Sequence, residues 1–163
     1  MRPPRRRSLS WVEDIPRRVA LDAAAREAYP DLRFYRKQRR GGPVFIYEVT
    51  LDVPGYEPRR VRVEFRVSSP RFPRVYADGP QESPHRYGGA WLCIWYPSDG
   101  DDQRWVPEDG LLALLGMAAV HLFKEAYWRE TGEWLGEEAP HGEEPKDPED
   151  EPQTPAEPNQ RLA

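Results

Sequence analysis

Ser83-Pro84-His85-Arg86-Tyr87-Gly88-Gly89-Ala90-Trp91-Leu92-Cys93-Ile94-Trp95-Tyr96 is the most informative stretch of this chain, and Trp105-Val106-Pro107 begins twelve residues after its cysteine. The stretch lies in a span from Gln81 to Gly110 that is rich in Gly, Pro, Trp and Tyr and keeps neither a helical nor a strand period. An irregular connection of that length inside a compact domain is as a rule functional. Cys93 is the one cysteine among 163 residues, which excludes an intramolecular disulfide framework and any multi-cysteine zinc or iron–sulfur cage.

Working upstream, Arg60 to Val67 alternates strictly: Val61, Val63, Phe65 and Val67 on one face, Arg60, Arg62, Glu64 and Arg66 on the other. That is the pattern of a half-buried antiparallel strand. Val44 to Val53 is a second strand, rich in aromatic and β-branched residues and closed by Pro54-Gly55; Phe34 to Lys37 is a weaker one ending before Gly41-Gly42-Pro43. Pro70-Arg71-Phe72-Pro73 forbids regular pairing, and Arg74 to Ala77 supplies a short fourth strand. Before them, Ser10 to about Tyr29 reads as a helix, with Pro16 in its first turn, Pro30 after its end, and Ile15, Val19, Ala23 and Ala24 as its apolar positions. Downstream, Pro107-Glu108-Asp109 opens a long helix carrying Leu111, Leu112, Leu114, Leu115, Ala118, Ala119, Leu122 and Phe123. Tyr127, Trp128 and Trp134 extend its apolar character until Gly136 and Pro140 stop it. The expected class is α+β: an N-terminal helix, a four-stranded antiparallel meander, a long loop bearing Cys93, and a long C-terminal helix.

The net charge of −4 is unevenly spread: residues 1–40 carry +7, residues 41–136 carry −4 and residues 137–163 carry −7. Residues 1–9 read as a basic, flexible N-terminus, 10–141 as the folded domain, and 142–163 as an acidic, proline-rich tail with too little apolar surface to offset its ordering entropy. The longest greasy run, Leu111 to Phe123, is too short for a bilayer and no signal core follows the basic start. Neither a membrane nor a nucleic-acid partner is expected, since no zinc finger, aromatic RNA-binding signature or long basic stripe is present. The expected setting is the cytoplasm.

At Cys93 the chain resembles the ubiquitin-conjugating enzymes. In that family a helix and a four-stranded meander are followed by a proline-rich turn, a His-Pro-Asn motif, a catalytic cysteine in a Gly-x-(Ile/Leu)-Cys context, and a Trp-x-Pro motif before the next helix. Here the counterparts run in order as Pro70 to Pro73, Ser83-Pro84-His85, Gly89 to Cys93, and Trp105-Val106-Pro107. A narrower resemblance, to bacterial members found beside antiphage systems, rests on His85 to Cys93 and on Tyr127 to Gly136, with His141 shortly after. The chain departs from the family where His85 occupies the register of the motif's asparagine, eight residues before the cysteine, and Ser83 replaces the motif's histidine.

The resemblance implies a ubiquitin-conjugating-like fold over about residues 11–136, with Cys93 as nucleophile. That thiol would hold the C-terminal glycine of a protein as a thioester and pass it to an amine. The acyl donor would be a ubiquitin-like protein or a cyclic-oligonucleotide synthase, delivered by a separate activating enzyme, in bacterial antiphage defence. His85 would donate to the oxyanion or, protonated, lower the thiol pKa; Asp99, Asp101 or Asp102 would orient or deprotonate the amine, with His141 as a further accessory. Trp105 and Pro107 would anchor the loop to the helix. No cofactor, metal or nucleotide, is implied. His121, in an apolar helix, reads as a satisfied core histidine. The rival reading is a non-catalytic module of the same fold that holds a partner protein's tail; a third is an interaction protein acting through its basic and acidic ends.

Overall fold

The computed structural model describes residues 10–88, 90–96 and 98–136. The flexible N-terminus expected over 1–9, the tail over 142–163, the last residues of the domain expected to end at 141, and His141 all lie outside the described residues.

The Ser10 N–H donates to the Glu13 carboxylate at 3.1 Å, and the Glu13 N–H to the Ser10 carbonyl at 2.9 Å, closing a short 3-10 turn, Trp11–Glu13. Asp14 then caps α1 (Ile15–Ala28), accepting the Arg17 N–H at 3.5 Å, with Pro16 in the first turn where its missing N–H costs nothing. The expected apolar face of this helix is corrected. Ile15 and Val19 are 64% and 59% exposed, Ala23 and Ala24 are exposed, and the buried face is Leu21, Asp22 and Ala25 with Val12 beneath. The 3-10 turn shifts the helix start, and a buried carboxylate holds part of the inner stripe. Asp22 accepts the Tyr47 hydroxyl at 2.9 Å and pairs with Arg26 at 3.0 Å, so a charged residue occupies a core position.

The meander is β1 (Arg33–Arg39), β2 (Gly42–Leu51), β3 (Arg59–Arg66) and β4 (Arg74–Ala77), antiparallel and paired in chain order. Register sets Phe45 opposite Phe65 and Tyr47 opposite Val63, so one face presents Phe45, Tyr47, Val49, Val61, Val63, Phe65 and Val75 to the helices. The other face is not a plain solvated surface. Ile46 and Glu64 on it are buried, and Arg39, Arg62 and Arg66 close over the Glu64 carboxylate at 3.1, 3.1 and 3.9 Å.

The span expected to be wholly irregular contains a small hairpin, β5 (Arg86–Tyr87) with β6 (Trp91–Leu92). Gly88, at φ 53°, makes the reversal that a side chain would resist. After the loop, a 3-10 turn over Pro107–Asp109 leads into α2 (Gly110–Thr131), which packs on α1 and buries Leu111, Leu114, Leu115, Ala118 and Leu122. By length and composition the stretch Pro107–Thr131 is apolar enough to cross a membrane; here those leucines join the core shared with the sheet. The helix also stops earlier than expected. Gly132 takes a left-handed C-cap at φ 79° and donates to the Trp128 carbonyl at 2.7 Å, turning Trp134 back against the domain. The architecture is α+β, with the N-terminal helix, four-stranded sheet and C-terminal helix in the expected order.

Candidate functional site

The β5–β6 hairpin explains the eight-residue spacing of His85 and Cys93. Arg86 pairs with Leu92, so the next positions outward are His85 and Cys93, joined by the Cys93 N–H donating to the His85 carbonyl at 3.0 Å. Cys93 is half-buried, and its thiol lies 3.7 Å from the Trp95 carbonyl, which also accepts the Tyr87 hydroxyl at 3.2 Å. Burial pushes the thiol pKa up, a hydrogen bond with Tyr87 pulls it down, and the Asp99 carboxylate pushes it up again; the net direction is upward. Burial is also the main reason the Tyr87 phenol is raised.

Cys93 opens on a pocket of about 470 Å³ whose walls include His85, Tyr96, Met117, His121, Lys124 and Trp134. Three elements build it: the hairpin end, one face of α2, and the segment after Gly132. On α2, Met117, His121 and Lys124 recur at helical spacing, and Gly116 leaves the wall open beside them. Trp134 covers the two imidazoles, its ring 4.2 Å from that of His85 and 5.4 Å from that of His121.

Behind the pocket is a buried charged cluster. Arg86 grips Glu125 with two hydrogen bonds at 2.9 and 2.7 Å, Arg129 approaches the same carboxylate at 3.5 Å, and His121 Nε2 lies 3.3 Å from it. His121 Nε2 also lies 3.1 Å from the His85 carbonyl. Burial pushes the Glu125 carboxyl up, but hydrogen bonds from Arg86 and His121 outweigh it and hold the pKa down to about 2.

The structure thus brings Cys93 and His85 together. Asp99 stays near, accepting the Tyr96 N–H at 2.9 Å. Asp101 is exposed and tied to Arg104 at 2.6 Å and Arg71 at 3.4 Å, which hold its carboxyl below the usual range; Asp102 is exposed, and neither lines the pocket. Trp105 is buried, its indole N–H donating to the Gly110 carbonyl at 2.8 Å, and Pro107 starts the 3-10 turn before α2. Among the described residues no group of three or more His, Cys, Asp or Glu is placed to hold a metal ion. The sequence reading missed Lys124 and Trp134 as pocket walls, and took His121 only as core. One signal was present: His121, Lys124 and Glu125 are polar groups crowded into an otherwise apolar helix.

Fold and pocket define an α+β protein with a cysteine-centred site. A family model, that of the Type II CBASS E2 proteins, matches residues 22–142, and the chain belongs to that family. It is a bacterial E2-like protein of antiphage defence, of the conjugating-enzyme type, acting with other components of a CBASS system. No curated protein matches the chain.

Proposed function

We propose that the chain is a ubiquitin-conjugating-like acyl carrier of the cytoplasm. Cys93 accepts the C-terminal glycine of a donor protein as a thioester and passes it to an amine. The donor is a ubiquitin-like protein or a cyclic-oligonucleotide synthase, supplied by a separate activating enzyme. The observation that carries this reading is the position of the chain's only thiol, at the end of a hairpin and in the wall of a pocket large enough for an extended peptide end. A thioester is already activated toward amines, so the protein's work is mainly to orient the acyl group and exclude water. Trp134, Met117 and Ile94 supply apolar walls for that purpose. His85 and Asp99 are the neighbouring polar groups for the oxyanion and the incoming amine.

Incubation with the activating partner and a candidate donor tests the reading. The expected product is an adduct that reducing thiols cleave, absent in Cys93→Ala and converted to a thiol-resistant ester in Cys93→Ser. No adduct with any donor pairing refutes it.

The upward shift of the buried thiol favours a second reading, a module that holds a partner's tail without forming a covalent bond. Under that reading Cys93→Ala binds the donor's C-terminal peptide as tightly as the unsubstituted protein and supports the same downstream conjugation.

A further inference from the structure

The sheet face turned away from the helices collects positive charge from three strands. Register brings Arg33 and Arg62 to either side of Glu48, sets Lys37 and Arg66 to either side of Val44, and pairs Arg74 with Glu64. Arg39 and Arg62 lie 3.1 Å and Arg66 3.9 Å from the Glu64 carboxylate, so one negative charge serves three guanidiniums. Arg39 and Arg62 keep 41% of their side chains exposed, and five N–H groups on each exceed what one shared carboxylate accepts. Against this group the four strands contribute two carboxylates, Glu48 and Glu64. At its β4 edge the same face carries aromatic rings. Tyr76 and Trp91 are 6.3 Å apart, with Arg62 over Tyr76 at 4.6 Å and Arg74 over Trp91 at 4.1 Å. Guanidiniums interleaved with half-buried rings suit a ligand that interleaves carboxylates with prolines.

The chain contains such a segment. Residues 142–163 hold seven Asp and Glu against Lys146 and Arg161, with prolines at 145, 148, 152, 155 and 158. That spacing is close to the three-residue turn of polyproline II, the conformation that aromatic-lined grooves recognise. Gly136 lies beside the Lys124 ammonium in the wall of the Cys93 pocket, and Cys93 directly follows β6, whose Trp91 borders the basic face. Extended, the 22 residues from 142 to 163 span about 70 Å, about twice the width of a domain this size. We propose that residues 142–163 dock on this face, their carboxylates among Arg39, Arg62, Arg66 and Arg74 and a proline against Tyr76 and Trp91. Tethering sets an effective concentration of about a millimolar, so individually weak, screened contacts suffice. Docking involves no covalent step, and it stands whether or not Cys93 carries an acyl group.

Carbodiimide treatment of the full chain, which joins carboxylates to amines in contact, reads the docked state by mass spectrometry. The chain's lysines are Lys37 on the basic face, Lys124 in the Cys93 pocket and Lys146 inside the segment itself. Products joining Lys37 to a carboxylate of 142–163 within one monomer are expected at low salt. They should fall at least about fivefold between about 0.01 M and about 1 M salt, as the screening length shrinks from about 30 Å to about 3 Å. Lys146 joined to its own neighbours monitors the reagent. Arg74→Gln weakens the receiving face; Glu149→Gln, Asp150→Asn and Glu151→Gln together weaken the segment and leave residues 10–136 untouched. Each variant should cut the Lys37 products at least about threefold, the worth of one exposed ion pair. Products on Lys124 or the N-terminal amine in place of Lys37, Lys37 products formed only between two copies, yields insensitive to salt, or yields unchanged in both variants overturn the proposal.

Discussion

Cys93 sits between opposed influences, and each can be removed separately. Tyr87 stabilises the thiolate by hydrogen bonding, while burial and Asp99 disfavour it. Tyr87→Phe is expected to move the alkaline limb of Cys93 alkylation to higher pH, and Asp99→Asn to move it lower. Intact-mass kinetics check both, and shifts of the same sign would contradict the arrangement. At this scale the eight-residue spacing of His85 and Cys93 was legible only through the family resemblance; the two-residue ladder that makes them neighbours was not, because so short a hairpin leaves no strand period in the sequence. His121 was not legible. Its partner, the His85 carbonyl, is 36 residues away and belongs to a backbone group that residue identities do not reveal.

Among the elements, the strands were the most readable. Val61, Val63 and Phe65 alternate with charge, and period-two alternation against a core leaves only one register that buries the apolar set. Glu64 breaks that logic from the other side, since three arginines fold over it and remove it from water. The apolar face of α1 was misread because Ile15 and Val19 keep helical spacing yet point away from the core, where Asp22 is held by Tyr47 and Arg26. The end of α2 depends on one residue. Gly132→Ala forces a Cβ into a left-handed backbone at φ 79°, which costs about 1–2 kcal/mol. Urea unfolding should show that loss; an unchanged midpoint would mean that another residue sets the cap.

At the scale of the whole molecule, Glu125 joins the hairpin to α2 through Arg86 and supports His121. Its carboxyl pKa is depressed to about 2, so its contribution is complete above the ordinary carboxylate range and is lost as the pH falls through about 2. Against an unfolded value of about 4.3 the depression is worth about 3 kcal/mol, so the stability lost on acidification below about pH 4 should be smaller in Glu125→Gln by about that amount. That variant should also be less stable at neutral pH by about 3–5 kcal/mol, because Arg86 and Arg129 then lack a buried counter-charge. Chemical denaturation across pH reads both effects.

The order of first helix, four strands, loop and last helix and the address of the single thiol were determined by the sequence itself, since period, turn residues and spacing act over a few positions. The company of that thiol was decided only by tertiary structure. His121, Lys124 and Trp134 line the pocket beside Cys93 from a helix and a turned-back segment, and Arg86 finds Glu125 across 39 residues. Which buried polar groups satisfy one another is set by packing, because the cost of leaving any of them unpaired is felt only once the elements have closed together and removed the water.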